Sequence, residues 1–379
     1  LHESHPVKLV RDAFLIGLLA IAMFGWARAA TTQTAYPLSQ ALYVSGSNVA
    51  VFQKKKLNRS GSVKPNFAFS NSTGFGFEGV AFDSSAMMWV SYCDAQGQLW
   101  GLSQETLKKL RHHHAVNPDR VISLLAVSQN FEINPCGDDI QFDSAGNLWV
   151  QVSYDGASPN VLGYTPGQLT QTGEPLPSTT ISVPQLCSTY DGEACYISDM
   201  KLDSQNDLWL LGDSVSSSIN QLEAIEFTPA QLAPGGNLSL IPTLTLVLAT
   251  SSTGAPFGKK MAFDPAGNLW VAYEDTQLWM YPASDLIGAG TIELQPSIIL
   301  SSTIWKNGYQ TIDFEQGIAF DTLGDLWVSS FAPGVLAKFT PDQLLSSGSP
   351  LPAAFIYSNK NLTNLDVPTY LTFGPLLPH

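Results

Sequence analysis

The sequence predicts an all-β fold: a six-bladed β-propeller of four-stranded antiparallel blades, closed by the C-terminal strand joining the N-terminal blade. Three observations lead there. A stretch of the form Gly-x-Ala-Phe-Asp-x-x-Gly-x-Leu-Trp-Val stands at 317–328 and returns, varied, at 79–90, 139–150, 199–210 and 260–271. The apolar residue before its Asp falls at Phe82, Phe142, Leu202, Phe263 and Phe320, so the spacings are 60, 60, 61 and 57. Self-similarity at a near-fixed period marks a repeat architecture. The composition agrees: 13% charged residues with 30 Gly and 24 Pro favours strands and turns over solvated helices. The chain ends also complement each other. Residues 41–45, 48–52 and 66–69 read as second, third and fourth strands, and 369–373 reads as a first strand with nothing after it. Together they make one blade and leave no open edge.

Taken in order, residues 1–29 read as a signal peptide. Lys8 and Arg11 precede an apolar run, Ala13 to Ala27, which is short for a membrane span, and Ala27-Arg28-Ala29 fits a cleavage pattern. The competing reading is an uncleaved anchor. Residues 30–37 are a linker, and 38–379 form the propeller, with repeats near 79–127, 139–183, 199–248, 260–300 and 317–357 and the closing blade from 41–69 plus 369–373. The expected location is secreted or periplasmic. Export makes the four cysteines disulfide candidates. They allow three pairings, of which Cys187–Cys195 with Cys93–Cys136 is preferred for its local loops.

Within a repeat, Gly317 to Phe320 suits a crowded inner strand. Asp321 opens a turn that ends at Gly324, where a left-handed residue is expected. Gly146, Asn206 and Gly267 tolerate that conformation; Ala86 does not, so the first repeat is expected to turn differently. The second strand carries Trp89, Trp149, Trp209, Trp270 or Trp327, read as packing between units. Third strands lead into Thr165-Pro-Gly-Gln-Leu, Thr228-Pro-Ala-Gln-Leu and Thr340-Pro-Asp-Gln-Leu, with Thr as N-cap and Pro at the first helical position. A fourth strand ends each unit.

The motif Phe-Asp-x-x-Gly-Asn-Leu-Trp-Val, preceded by Gly-x-Ala, resembles the repeats of six-bladed propellers of the NHL and SMP-30/gluconolactonase-like families, over residues 38 to 379. The resemblance implies a ligand site at the channel mouth, where the loops before first strands and after second strands gather. It implies a divalent metal held four residues before the repeated apolar position. Those places hold Glu78, Asp138, Ser198, Lys259, Gln316 and Thr369. Glu78 and Asp138 suit a calcium or other divalent cation, but Lys259 and Lys260 offer a positive charge in its stead.

Asp139 and Asp199 stand one place further along and also point to the mouth, with Asp199 a candidate base. Tyr196 and Trp305, in the long loops at 184–198 and 301–316, are candidate ligand contacts, as are Glu78, Asp138, Asp139, Lys259 and Gln316. Phe75, Phe77, Tyr92 and Tyr273 join them as mouth aromatics, several of which are expected to pin loops rather than bind. The repeated Asp83, Asp143, Asp203, Asp264 and Asp321 read as turn residues. His112, His113 and His114 fall in a solvated loop on the other face, and no His is expected in the channel. A net charge of −14 discourages nucleic acid or an anionic membrane as partner.

The resulting expectation is a monomeric exported module, with no cofactor, that binds a small molecule, glycan or protein at the channel mouth. The alternative is a metal-dependent lactonase or hydrolase of the SMP-30 kind.

Overall fold

Each repeat builds one antiparallel sheet whose strands lie side by side in the order in which they occur. The computed structural model describes residues 40–70, 76–92, 97–110, 117–125, 136–153, 161–183, 186, 197–215, 220–233, 235–251, 258–273, 277–301, 317–330, 334–357 and 368–376. The chain divides into Leu1–Ala35 and Tyr36–His379, and the expected export segment and linker lie outside the described residues.

The five internal blades begin with inner strands Phe77–Phe82, Cys136–Phe142, Ile197–Leu202, Gly258–Phe263 and Gly317–Phe320. Their second strands are Met88–Tyr92, Leu148–Ser153, Leu208–Val215, Leu269–Tyr273 and Leu326–Ser330. The sixth sheet is the shared one: Tyr370–Pro375 lies innermost, followed outward by Gln40–Ser45, Val49–Gln53 and Phe67–Phe69. Gln40 pairs with Pro375 and Ser45 with Tyr370, so the two ends of the propeller are held by backbone hydrogen bonds along a whole strand. The fold is thus the expected all-β six-bladed propeller.

The Gly-x-Ala-Phe pattern follows from register. The Ala is paired directly with the Trp of the second strand: Ala81 with Trp89, Ala262 with Trp270 and Ala319 with Trp327. Paired residues share a face, so a small partner makes room for the indole. The indole then packs on the Phe of the next blade, with centroids 6.5 Å apart for Trp89–Phe142, 5.7 Å for Trp209–Phe263 and 6.0 Å for Trp270–Phe320. Tyr43 takes this place in the closing blade, 4.7 Å from Phe82.

The turn Asp does more than accept from turn amides. Asp143 Oδ1 accepts from Ala145 and Asn147, while its Oδ2 accepts from Trp149 Nε1 at 3.1 Å. Asp83, Asp203 and Asp264 bond their own Trp in the same way. In the fifth blade the indole N–H of Trp327 is unpartnered, and Lys338 lies over that ring. The Thr-Pro-x-Gln motifs form capping boxes, Thr228 with Gln231 and Thr340 with Gln343.

One feature has no counterpart in the repeat analysis. The loop between third and fourth strands of one blade adds a parallel segment to the outer strand of the blade before it. Gly236–Ser239 pairs with Thr179–Ser182, and Gly290–Glu293 with Leu244–Val247. Single bridges do the same at Gly173 to Ile122, Gly348 to Leu300 and Gly61 to Ile356. Outer edges that would template aggregation are thereby occupied.

The first turn also departs from expectation. Ala86 adopts φ 61°, and Ala86 N donates to Asp83 O at 2.9 Å, as Gly146 N does to Asp143 O at 3.0 Å. The turn is the same one, built on a residue that resists it. Ala86→Gly is therefore expected to stabilise the protein by about 0.5–1 kcal/mol in chemical denaturation; a destabilisation would show that the alanine methyl makes a contact worth more than the strain.

Candidate functional site

The channel is shaped by a repeated irregularity. In the first four blades the inner strand carries one extra residue against the second strand: between Phe77 and Val80, Gly137 and Ile140, Ile197 and Asp199, and Gly258 and Lys260. Such a bulge re-aims consecutive side chains. The doublets it presents are Glu78-Gly79, Asp138-Asp139, Ser198-Asp199 and Lys259-Lys260.

Asp139 and Asp199 are fully buried and meet at the ammonium group of Lys201. Lys201 Nζ donates to Asp139 Oδ2, to Asp199 Oδ1 at 3.0 Å and to the Met200 carbonyl at 3.0 Å. Asp199 Oδ2 accepts from the Met261 amide at 2.7 Å, and Lys260 Nζ stands 3.5 Å from Oδ1. Tyr370 comes in from the closing blade. Its hydroxyl accepts from Gln141 Nε2 at 2.6 Å, and its ring lies 4.8 Å from Lys201 Nζ. Two blades contribute no side chain at this level. A Cβ on Gly79 would stand 2.8 Å from Asp138 O, and one on Gly317 would stand 3.0 Å from Leu371 N.

Burial and charge set the protonation states. Burial pushes Asp139 up to about 6, against the pull of Lys201, with the nearby Asp199 adding to the rise. Burial also opposes ionisation of Asp199, but Lys201, Lys260 and the Met261 amide outweigh it and hold that carboxyl below the usual range. For Lys201, burial is outweighed by Asp139 and Asp199, which hold the ammonium charged. Burial and the same two aspartates push Tyr370 well up. Asp138, half-buried, is raised to about 7 by burial, then by Glu78 and Asp139, with Lys260 opposing.

Of the residues expected here, Asp139 and Asp199 lie together, and Asp138 lies within electrostatic reach of Glu78 and Lys260. Tyr196, Trp305 and Gln316 fall outside the described residues, as do the side chain of Lys259, Cys93, Cys187, Cys195 and the side chain of Cys136. Phe77 and Tyr92, expected at the mouth, are buried instead, their rings 5.9 Å apart in the core beside Trp100. The inner end of the blade is so tightly stacked that these aromatics fill it. Lys201, Gln141 and Tyr370 were not singled out by sequence reasoning. The signal was present: Gln141 and Lys201 occupy the place that is Ala81, Ala262 and Ala319 elsewhere.

The carboxylates Glu78 and Asp138 do not suit the metal that the resemblance implies. Among the described residues no three His, Cys, Asp or Glu side chains converge on a common point. Of the other positions of that ring, Ser198 and Thr369 are described and neither is a carboxylate, and the ammonium group of Lys260, one place further along, acts on Asp138 and repels a cation.

The chain thus belongs, by architecture, to the six-bladed β-propellers. No protein-family model matches it, and no curated protein matches it significantly in sequence. Solved structures do match in fold. A protein of unknown function from Bacteroides caccae superposes with a TM-score of 0.51 at 12% identity, over 89% of this chain and 99% of that one. PorZ, a surface component of the type-IX secretion system of Porphyromonas gingivalis, gives a TM-score of 0.40 at 15% identity, over 80% of this chain and 37% of its own. The β-propeller domain of Cps50 (Swd1) from Myceliophteria thermophila gives 0.41 at 8% identity, over 78% of this chain and 77% of that one.

Two outcomes test the cluster. Lys201→Met leaves two buried aspartates facing each other and is expected to cost about 3–5 kcal/mol in urea denaturation, part of it returned by adding Asp139→Asn. A loss under about 1 kcal/mol would mean that water reaches the pair. The pH dependence has a definite sign. Between the ordinary carboxylate value of 3.8 and about 7, Asp138 and Asp139 hold protons in the native state that the unfolded chain has released, so stability falls as pH rises through that window. Asp199 works the other way, its contribution being lost as pH falls through its depressed native value. Melting temperature should therefore peak in mildly acidic buffer, and Asp138→Asn should flatten the decline toward neutrality.

Proposed function

We propose that this propeller is an exported binding module that recognises a polar ligand at the channel mouth. One observation carries the reading. The deep carboxylates Asp139 and Asp199 are committed to Lys201, Lys260 and the Met261 amide, while the side-chain carboxylates of Glu78 and Asp138 at the rim accept no hydrogen bond from a described residue, these two residues being bonded through their carbonyls instead. A buried, fully paired group is poorly placed to accept a substrate proton. Two rim carboxylates, with Lys260 nearby, instead suit a ligand rich in donors, such as sugar hydroxyls or the amine of a peptide. The ion-paired cluster is then the floor of the site. The metal-dependent lactonase reading is the weaker one, because no donor set is assembled among the described residues and its candidate base, Asp199, is held ionised among three donors.

The test is a thermal-shift screen of glycans and amines with the full chain, paired with a lactone turnover assay with and without calcium. A ligand whose shift is reduced at least about tenfold in apparent affinity by Glu78→Gln, with Asp138→Asn additive, supports the binding module. Calcium-dependent lactone turnover abolished by Glu78→Gln would replace it with the enzyme.

A further inference from the structure

The face away from the mouth is unlike the rest of the molecule. It is formed by the turns after inner strands and by the loops between third and fourth strands, since antiparallel pairing brings both to one end. Beyond residue 29 the sequence holds 15 Lys and Arg and 30 Asp and Glu. The described parts of two adjacent far-face loops, 54–66 and 103–110 with 117–120, contain eight of those basic residues and only two of the acidic ones. Of their described cations, Lys55, Arg59 and Lys64 in the closing blade and Lys108 and Lys109 in the first are solvent-facing, Lys109 paired with Glu105 at 2.9 Å, while Arg120 is half-buried on the Leu169 carbonyl. Lys56, half-buried, binds the carbonyls of Lys64 and Pro65, and after burial the charges of Lys64 and Arg59 are what lower its pKa. Around Lys56 like charges are gathered in a loop, 54–66, that holds no Asp or Glu.

The other blades carry apolar side chains on the same face. Leu176, Ile241, Ile287, Leu323, Leu345 and Leu351 are the exposed large hydrophobics among the described residues, and every one sits in a far-face loop or turn. Three are presented by one device. The capping-box glutamines Gln168, Gln231 and Gln343 donate to the carbonyls of Leu176, Ile241 and Leu351, each of which precedes a proline. Radial repetition sets such prongs at one level around a ring.

Gln40, the first described residue, pairs with Pro375 at the far end of the closing inner strand, so the described chain begins on this face too. No helix of the described residues is long and apolar enough to cross a membrane.

From these three features we infer that the far face docks on an anionic lipid bilayer, the basic loops of the closing and first blades contacting the headgroups and the apolar prongs entering the interface. Net charge argues against such a surface, but net charge is an average. The cations are segregated on one sector, where a headgroup layer within a Debye length responds to them and not to the acids of the mouth face. Glu174, Asp285, Asp342 and the turn aspartates Asp143, Asp203, Asp264 and Asp321 stand among the apolar blades, against Asp83, Glu105 and Asp119 beside the cations, so the basic sector leads the approach.

The test is co-sedimentation of the full chain with vesicles of phosphatidylcholine alone or with about a third phosphatidylglycerol. Binding to the anionic vesicles is expected to be at least about tenfold tighter and to weaken with salt. Lys55→Glu with Arg59→Glu and Lys64→Glu should bring the ratio between the two compositions close to one. Ile241→Asp with Leu345→Asp and Leu351→Asp should lower binding to both. The N-terminal run is common to all these chains, so it cannot produce either difference, and thermal melts confirm that each variant folds. A wild-type ratio near one, a ratio that survives charge reversal, or binding to a soluble polyanion without binding to anionic vesicles overturns the proposal.

Discussion

The centre of the ring depends on one ammonium group. Lys201 Nζ is the common donor to Asp139 and Asp199, carried on neighbouring inner strands, and it lies against the ring of Tyr370 from the closing blade. Bringing inner strands to a common axis forces their side chains into a small volume, and four of the six fill it with polar groups: Asp139, Asp199, Lys260 and Tyr370. Without a cation between them, two buried carboxylates on adjacent strands would hold those strands apart. An ion pair of this kind seldom adds net stability over an apolar substitute. What it does is give two buried carboxylates on adjacent inner strands one shared donor. The glycines of the remaining two blades are the other half of the same constraint. They let the backbones of Phe77–Phe82 and Gly317–Phe320 close against their neighbours where no side chain would fit.

Outward from that axis the forces change character. Midway, the indoles of Trp89, Trp209 and Trp270 sit on the Phe of the next blade, and Tyr43 sits on Phe82, so apolar contacts join these blades. At the rim the contacts are backbone hydrogen bonds again, made by the loops that reach back to the preceding blade. Adjacent blades are therefore joined at three radii by three different interactions. Loss of one leaves the others, which is a reason to expect the irregular loops between blades to vary without loss of the fold.

The architecture was legible in the sequence because period, turn chemistry and complementary chain ends are all local or one-dimensional signals. The site was half legible. Asp139 and Asp199 could be found by counting from the repeated Phe. Lys201 and Gln141 could have been found by asking which copies break the Gly-x-Ala rule, since a long polar side chain beside a Trp must leave the sheet toward the axis. Tyr370 lay in the copy that is weakest as sequence, where the pattern itself is lost. The latches could not be read at all. Gly173, Gly348 and Gly61 act through backbone groups, and their partners lie in the preceding blade or, for Gly61, at the opposite end of the chain. Ala86 shows a different limit: propensity forbids the conformation locally, and the strands on either side impose it.

The bulge explains why the first four blades, and not the fifth, carry the chemistry. An uninterrupted strand sends alternate residues to opposite faces, so only one of any two neighbours can reach the channel. Inserting one residue lets both members of a doublet do so. The second member, Asp139, Asp199 or Lys260, enters the closed polar cluster. The first, Glu78 or Asp138, stays half-buried at the rim. In the fifth blade Gly317 to Phe320 pairs without a break, and no such doublet forms among the described residues. One backbone device thus separates adjacent residues: Asp139, Asp199 and Lys260 enter the cluster, and Glu78 and Asp138 stay half-buried outside it.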